Sequence, residues 1–254
     1  MGQHAQHGPL VRFGACLAAA VMLLPAAGHA ACRIALLLAL DISSSVDAGE
    51  DAQQRQGLAA ALMAPDVVAA ITAVPGQAVA LSVFEWSGQQ QQDIMLDWMV
   101  LQSPADVQSA AAYIAASRRP YAEFSTAIGQ MLVFADAQFR RAPPCDRQVL
   151  DVSGDGVHND GLLPADAYAA GILPDVMVNG LPIVEQDDRA LDHAADDDLV
   201  SHYQTQLIRG AGAFLIRADG FEDYERAMQR KLLRELTIQV GALHPGAPPQ
   251  SRHQ

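Results

Sequence analysis

Residues 33–40, RIALLLAL, carry a single arginine and then an unbroken apolar run that stops at Asp41, with three serines close behind in DISSS. A run of that length without polar alternation suits a strand covered on both faces, the position of an inner strand in a parallel sheet. Parallel strands need crossover connections, usually helices, and the chain supplies candidates. An Ala/Gln/Leu-rich helix is expected from about 47 to 62, ended by Pro65, with a short helix over 66–72. QAVALSVFEW (77–86) alternates as a strand does, and DIMLDWMVL (93–101), after a Gly/Gln-rich turn, reads as its antiparallel hairpin partner at a sheet edge.

Ser103-Pro104-Ala105-Asp106 opens the next helix with cap chemistry and an early proline. A further helix is expected over 125–139, then strand RQVLDVSG (147–154), a weak helix near 165–170 and strand DVMVNGLPIV (175–184). The acid-dense segment 185–198 reads as a solvated excursion. A helix over 199–208, a last strand GAFLIRA (212–218) and a last helix over 221–236 complete the series. Strands alternating with helices predict an α/β fold: a doubly wound, mostly parallel sheet with helices on both faces and one antiparallel edge strand. Ligands of such sheets gather beyond the strands' carboxyl ends, where the winding reverses.

The ends of the chain are set apart from this unit. Arg12 precedes the apolar stretch FGACLAAAVMLLPAAGHA, which is broken by Pro25 and Gly28 and ends in small residues, so residues 1–30 read as a secretory signal peptide cleaved after Ala30. The globular domain then covers 31–240, and HPGAPPQSRHQ falls in a disordered tail, 241–254. Cleavage takes away Arg12 and no acid, leaving 15 basic against 29 acidic residues, a net charge of −14. Such a chain repels nucleic acid and anionic membranes and attracts cations. Cys16 leaves with the signal, and Cys32 and Cys145 each stand just before a strand-like run, so one disulfide between neighbouring strand starts is expected of an exported protein. Acylation of Cys32 as a lipoprotein is the alternative, against which His29 stands where an aliphatic residue is usual. The protein is expected in the periplasm or outside the cell, without stable membrane insertion after signal cleavage.

Asp41, Ser43 and Ser45 follow the first strand at spacing two, so their side chains can turn toward one point. Two more loops offer similar groups: Thr126 in EFSTAIGQ, just before a helix, and Asp155 in VLDVSGDGVHND, flanked by Gly154 and Gly156, which let the backbone bend tightly. Oxygen ligands of this kind suit a hard divalent cation, Mg²⁺ or Ca²⁺, rather than zinc or copper.

LLLALDISSSV, FSTAIG and VLDVSGDG resemble the three parts of the metal-ion-dependent adhesion site (MIDAS) of von Willebrand factor A domains, and the resemblance runs from about Arg33 to Leu236. VFEWSG, DVSGDGVHNDG, VNGLPI and the segment 210–236 are similar to an uncharacterised branch of secreted bacterial proteins with this fold. The resemblance implies metal ligands Asp41, Ser43, Ser45, Thr126 and Asp155, with Mg²⁺ as the first expectation and Ca²⁺ or Mn²⁺ as alternatives. It also implies a carboxylate from a protein partner completing the metal's shell. The third loop departs from the family's frequent Thr-Asp-Gly order, since Ser153-Gly154-Asp155-Gly156 has one residue more; charge favours Asp155 over Ser153.

Plainer roles stand beside these. Asp41 and its serines, or Thr126, can cap helices; Glu85 and Trp86, on the same rim, can be structural at a hairpin; His158 can be simply solvated. An enzyme is the competing class, a metal-assisted hydrolase using the same site. A phosphatase would want a second aspartate where Ser43 stands, and no G-x-S-x-G elbow occurs. A binding module, not an enzyme, is therefore the expectation, with a scaffold whose site takes no ligand as a third possibility.

Overall fold

The structure is a computed structural model and describes residues 1–2, 31–185 and 194–237. Nearly all of the expected signal segment, most of the acidic excursion and the tail from 241 lie outside the described residues. Six strands form one sheet in the order β3-β2-β1-β4-β5-β6. The first three are β1 (Ala31–Asp41), β2 (Gln77–Trp86) and β3 (Gln92–Leu101); the others are β4 (Gln148–Gly154), β5 (Met177–Val184) and β6 (Ala218–Asp219). All pairings are parallel except β2 with β3, the expected antiparallel edge hairpin.

The unbroken apolar run of β1 follows from its neighbours. Ile34, Leu36, Leu38 and Leu40 pack into a core with helices α1 (Ala48–Met63), α2 (Pro65–Thr72), α3 (Pro104–Ala116) and α7 (Tyr224–Thr237). Ala35, Leu37 and Ala39 face the opposite core, with α4 (Ile128–Phe139), α5 (Pro164–Ala169) and α6 (Ala194–His202). Alternate residues point to opposite faces, and both faces are covered, so neither parity can be polar. From β1 the chain builds outward to β2 and β3, then returns to build β4, β5 and β6 on the other side. The winding reverses between β1 and β4, and Asp41 ends β1 at that point.

The expected bridge is present: Cys32 and Cys145 form a disulfide across a sequence separation of 113, at the paired starts of β1 and β4. Among the described residues no helix is long and apolar enough to cross a membrane.

Three expectations need correction. The last strand is not a seven-residue run: only Ala218–Asp219 ladders with β5, beside an isolated bridge from Leu215 to Gly180. Gly180 donates to Phe214 O and accepts from Ile216 N, so the even residues of β5 face this segment, but two residues on Pro182 has no N–H to offer. The Asn179 side chain, not a strand carbonyl, accepts from Phe214 N at 3.0 Å. Second, the fourth helix starts at Ile128 rather than 125, because the preceding residues are held in a loop: Thr126 N donates to Asn159 Oδ1 and Ala127 N to Ser87 O. Third, the end of the acidic run is helical, since α6 spans Ala194–His202 and passes into a π-type turn, Tyr203–Leu207.

A buried ionic cluster ties α7 to the sheet. Lys231 is fully buried, 2.7 Å from Asp151 of β4 and 2.9 Å from Glu235, which also accepts from the Asn179 amide. Burial, then the Glu235 charge, pushes the Asp151 carboxyl up to about 7 against the pull of Lys231. Removing one member leaves buried charge without a counterpart. Lys231→Met is expected to cost about 3–5 kcal/mol in chemical denaturation at neutral or higher pH, with the deficit shrinking as the pH falls and Asp151 takes a proton. A loss below about 1 kcal/mol, the range of an exposed pair, contradicts this.

Candidate metal site

β1 delivers Asp41 to the carboxyl end of the sheet as a fully buried residue. Its Oδ1 accepts from Ser43 N at 2.8 Å, an aspartate turn that bends the chain directly after the strand. The turn brings Ser43 Oγ within 3.2 Å of Ser45 Oγ, and Ser45 Oγ donates to Asp155 Oδ1 at 2.9 Å, from a loop 110 residues away. Four of the five expected residues thus meet in one contiguous cluster at the switch between β1 and β4. Thr126 reaches the same place through the third loop: a Cβ on Gly156 would lie 2.9 Å from Thr126 Oγ1. Gly154 is equally constrained, since a Cβ there would lie 2.7 Å from Asp41 Oδ2 and 2.8 Å from Tyr203 Oη. Both glycines are required by close approach, and side chains there would fill the space around the oxygens.

The capping alternatives are taken by other residues. Asp47 caps α1, accepting from Gly49 N and Glu50 N, with Glu50 closing the capping box. The cap position of α4 is Ala127, with no side-chain bond, so Thr126 does not serve there. Between Asp155 and Ser153, it is Asp155 that joins the cluster. The buried Ser153 hydroxyl is instead engaged with Gln54 Oε1 and Tyr224 Oη, both at 3.2 Å.

The electrostatics are unusual for two carboxylates. Asp41 Oδ2 is buried with no hydrogen-bond partner, as is Tyr203 Oη beside it. Burial, then the neighbouring charge of Asp155, pushes the Asp41 carboxyl up to about 8, with hydrogen bonds from Ser43 and the charge of Arg119 pulling the other way. Asp155 is also raised, chiefly by burial, against the Ser45 hydrogen bond. A positive charge between the two would relieve both effects. Among the described residues no group of three or more His, Cys, Asp and Glu side chains is placed to hold a metal. Cation binding here therefore depends on hydroxyls beside the two carboxylates, a hard-oxygen set. The donors fit such an ion: an orphaned buried carboxylate oxygen, hydroxyls on two loops and a glycine cradle.

Other rim residues fall into structural places. Trp86 is fully buried in the α4-side core, a structural place. Glu85 is buried in an ion pair with Arg55, which also bonds both oxygens of Asp51 at 3.0 Å. His158 packs beside His202, whose Nε2 accepts from His158 N at 3.2 Å.

Several residues that shape the site are not visible in its motif. Gln54 Nε2 donates to Asp41 O at 3.0 Å, and Asn159 holds Thr126 N at 2.8 Å. Tyr203 lies over Gly154, and Arg119 donates to carbonyls of the first loop. Asn159, inside VHND, carried a sequence signal as a polar residue close behind the third loop; the others act from distant helices and connections.

The fold is that of a von Willebrand factor A domain. Proximal thread matrix protein 1 (PTMP1) from the mussel byssus superposes with a TM-score of 0.54 at 15% identity, over 82% of this chain and 49% of that one. A second structure of it, with a zinc-occupied MIDAS motif, gives 0.50 at 16%, over 82% and 47%. The pilus adhesin SpaC from Lactobacillus rhamnosus GG gives 0.56 at 11%, over 81% and 30%. A von Willebrand factor type A protein from Catenulispora acidiphila gives 0.51 at 13%, over 80% and 43%. The chain thus spans half or less of the length of each of these neighbours. No curated protein matches. A family model described as "Protein of unknown function (DUF1194)" covers residues 31–240, and the chain belongs to that family.

Proposed function

We propose that the protein is an exported binding module that holds a divalent cation, Mg²⁺ first and Ca²⁺ or Mn²⁺ as alternatives, among Asp41, Ser43, Ser45, Thr126 and Asp155. Through that cation it recognises a carboxylate on a partner protein. The observation that carries the reading is Asp41 Oδ2, buried and unpartnered beside a second carboxylate and within a rim of hydroxyls. When bound, the cation neutralises the two acids and keeps a coordination position for an oxygen from outside. The zinc-occupied motif of PTMP1 and the adhesin role of SpaC are consistent with this use of the fold. The acidic composition argues against nucleic acid as partner. Export to the periplasm or beyond, as in the secreted bacterial branch, is supported by the signal-like start and the disulfide.

A metal-assisted hydrolase is the second reading, since a hard cation at an open strand end can also polarise a substrate oxygen. The binder is preferred because the Ser43 and Ser45 hydroxyls are engaged with one another and with Asp155 rather than free to act as nucleophiles. Turnover of phosphoesters or peptides that requires the cation and disappears in Asp41→Ala would favour the hydrolase.

Calorimetry with Mg²⁺, Mn²⁺ and Ca²⁺ is expected to give saturable heats for the wild type and none for Asp41→Ala; equal heats for both proteins reject the site. A pH dependence follows as well. Asp41 in the folded, metal-free protein holds its proton up to about 8, against an ordinary 3.8, so the folded state binds more protons than the unfolded chain in that window. Stability of the metal-free protein should therefore fall as the pH rises through the window. Glu85 and Asp151 are shifted in the same direction and add to the slope. Thermal melts in chelator should show a shallower fall for Asp41→Asn, and Mg²⁺ should stabilise the wild type more at the alkaline end than the acid end. A slope unchanged by Asp41→Asn contradicts the assignment.

A further inference from the structure

The connection between α3 and α4 crosses the first site loop and grips it at several points. Arg119 Nη1 donates to Val46 O at 2.6 Å, and Nη2 donates to Ile42 O at 2.7 Å and Ser43 O at 2.9 Å. Phe124 O, in the same connection, accepts from Ser44 N at 2.8 Å. One planar guanidinium thus spans carbonyls on both sides of the turn that presents Ser43 and Ser45, which a single ammonium cannot match. The loop has no regular structure of its own between the end of β1 and the start of α1.

We propose that Arg119 is a positioning residue for this site: its guanidinium fixes the carbonyls of Ile42, Ser43 and Val46, so that the Ser45 hydroxyl stands against Asp155, and the Ser43 hydroxyl against that of Ser45, before any ion arrives. The inference rests on the metal reading above. Its sign is not a foregone result, because Arg119 acts in two opposing ways. As a clamp it pre-organises the oxygens and favours cation binding. As a positive charge near Asp41 and Asp155 it opposes an incoming cation. The three carbonyl contacts, all at normal hydrogen-bond length and on the loop that carries two of the five oxygens, make the clamp the larger effect.

The test uses Arg119→Met, which keeps the stem and loses donors and charge, and Arg119→Lys, which keeps the charge and loses the fork. Two readouts are taken: amide hydrogen exchange of the metal-free protein over residues 42–47, and Mg²⁺ affinity by calorimetry. The clamp predicts faster exchange over 42–47 with exchange in β1 and α7 unchanged. It also predicts Mg²⁺ binding weaker by about 10- to 100-fold in Arg119→Met, the usual effect of losing an outer partner of a metal site, and weaker binding in Arg119→Lys as well. Wild-type exchange over the loop in both variants overturns the proposal, as does Mg²⁺ binding equal to or tighter than wild type in Arg119→Met. Full recovery by Arg119→Lys also overturns it, by showing that a single ammonium serves the loop as well as the guanidinium fork. If Arg119→Met does not fold, Arg119→Lys decides by the same two readouts. If the wild type itself takes up no Mg²⁺, the metal reading fails, and loop exchange still decides whether Arg119 clamps.

Discussion

A carboxylate oxygen without a protein donor is among the more costly groups a protein can bury. Asp41 Oδ2 is such an atom, and it sits at the end of a strand that is buried from Cys32 onward. The surrounding features preserve rather than relieve this condition. Gly154 leaves space against the carboxylate, Tyr203 covers it with a hydroxyl that is itself unpartnered, and Asp155 adds a second negative charge nearby. Such an arrangement is intelligible if the missing partner is a cation.

The fold accounts for where this happens. With both faces of β1 covered, residues 34–40 are all apolar, and the first polar residue after them is Asp41, at the strand's end. The reversal of winding between β1 and β4 opens a crevice there, and the loops after β1, before α4 and after β4 converge on it. At the opposite end of the same two strands, the Cys32–Cys145 bridge holds their starts together. Within the sheet, Lys231 and Glu235 of α7 meet Asp151 of β4, three residues before the glycine that packs on Asp41.

Much of this was legible in the sequence, and the reasons differ by element. Apolar continuity identified β1, alternation identified β2 to the residue, and the Ser103 box with Pro104 marked the start of α3. The cluster of Asp41, Ser43, Ser45 and Asp155 was legible because strand ends are where polar residues become accessible. The short β6 was not, because its ladder depends on Pro182 in a different strand, and an apolar run such as GAFLIRA does not reveal which of its N–H groups find acceptors. The Asp151–Lys231–Glu235 cluster joins residues about eighty positions apart, and nothing local distinguishes a buried lysine on an amphipathic helix from a solvated one. Arg119 acts on backbone carbonyls, which carry no sequence signal at all.

The central claim is that an ion belongs beside Asp41 Oδ2. Crystals of the protein grown with Mn²⁺ and measured for anomalous scattering give the most direct test. The account predicts one strong Mn²⁺ peak enclosed by oxygens of residues 41, 43, 45, 126 and 155, and its loss when Asp41 is replaced by alanine. A map without a peak there, in which a proton or a water satisfies Asp41 and the manganese lies elsewhere or nowhere, would contradict it.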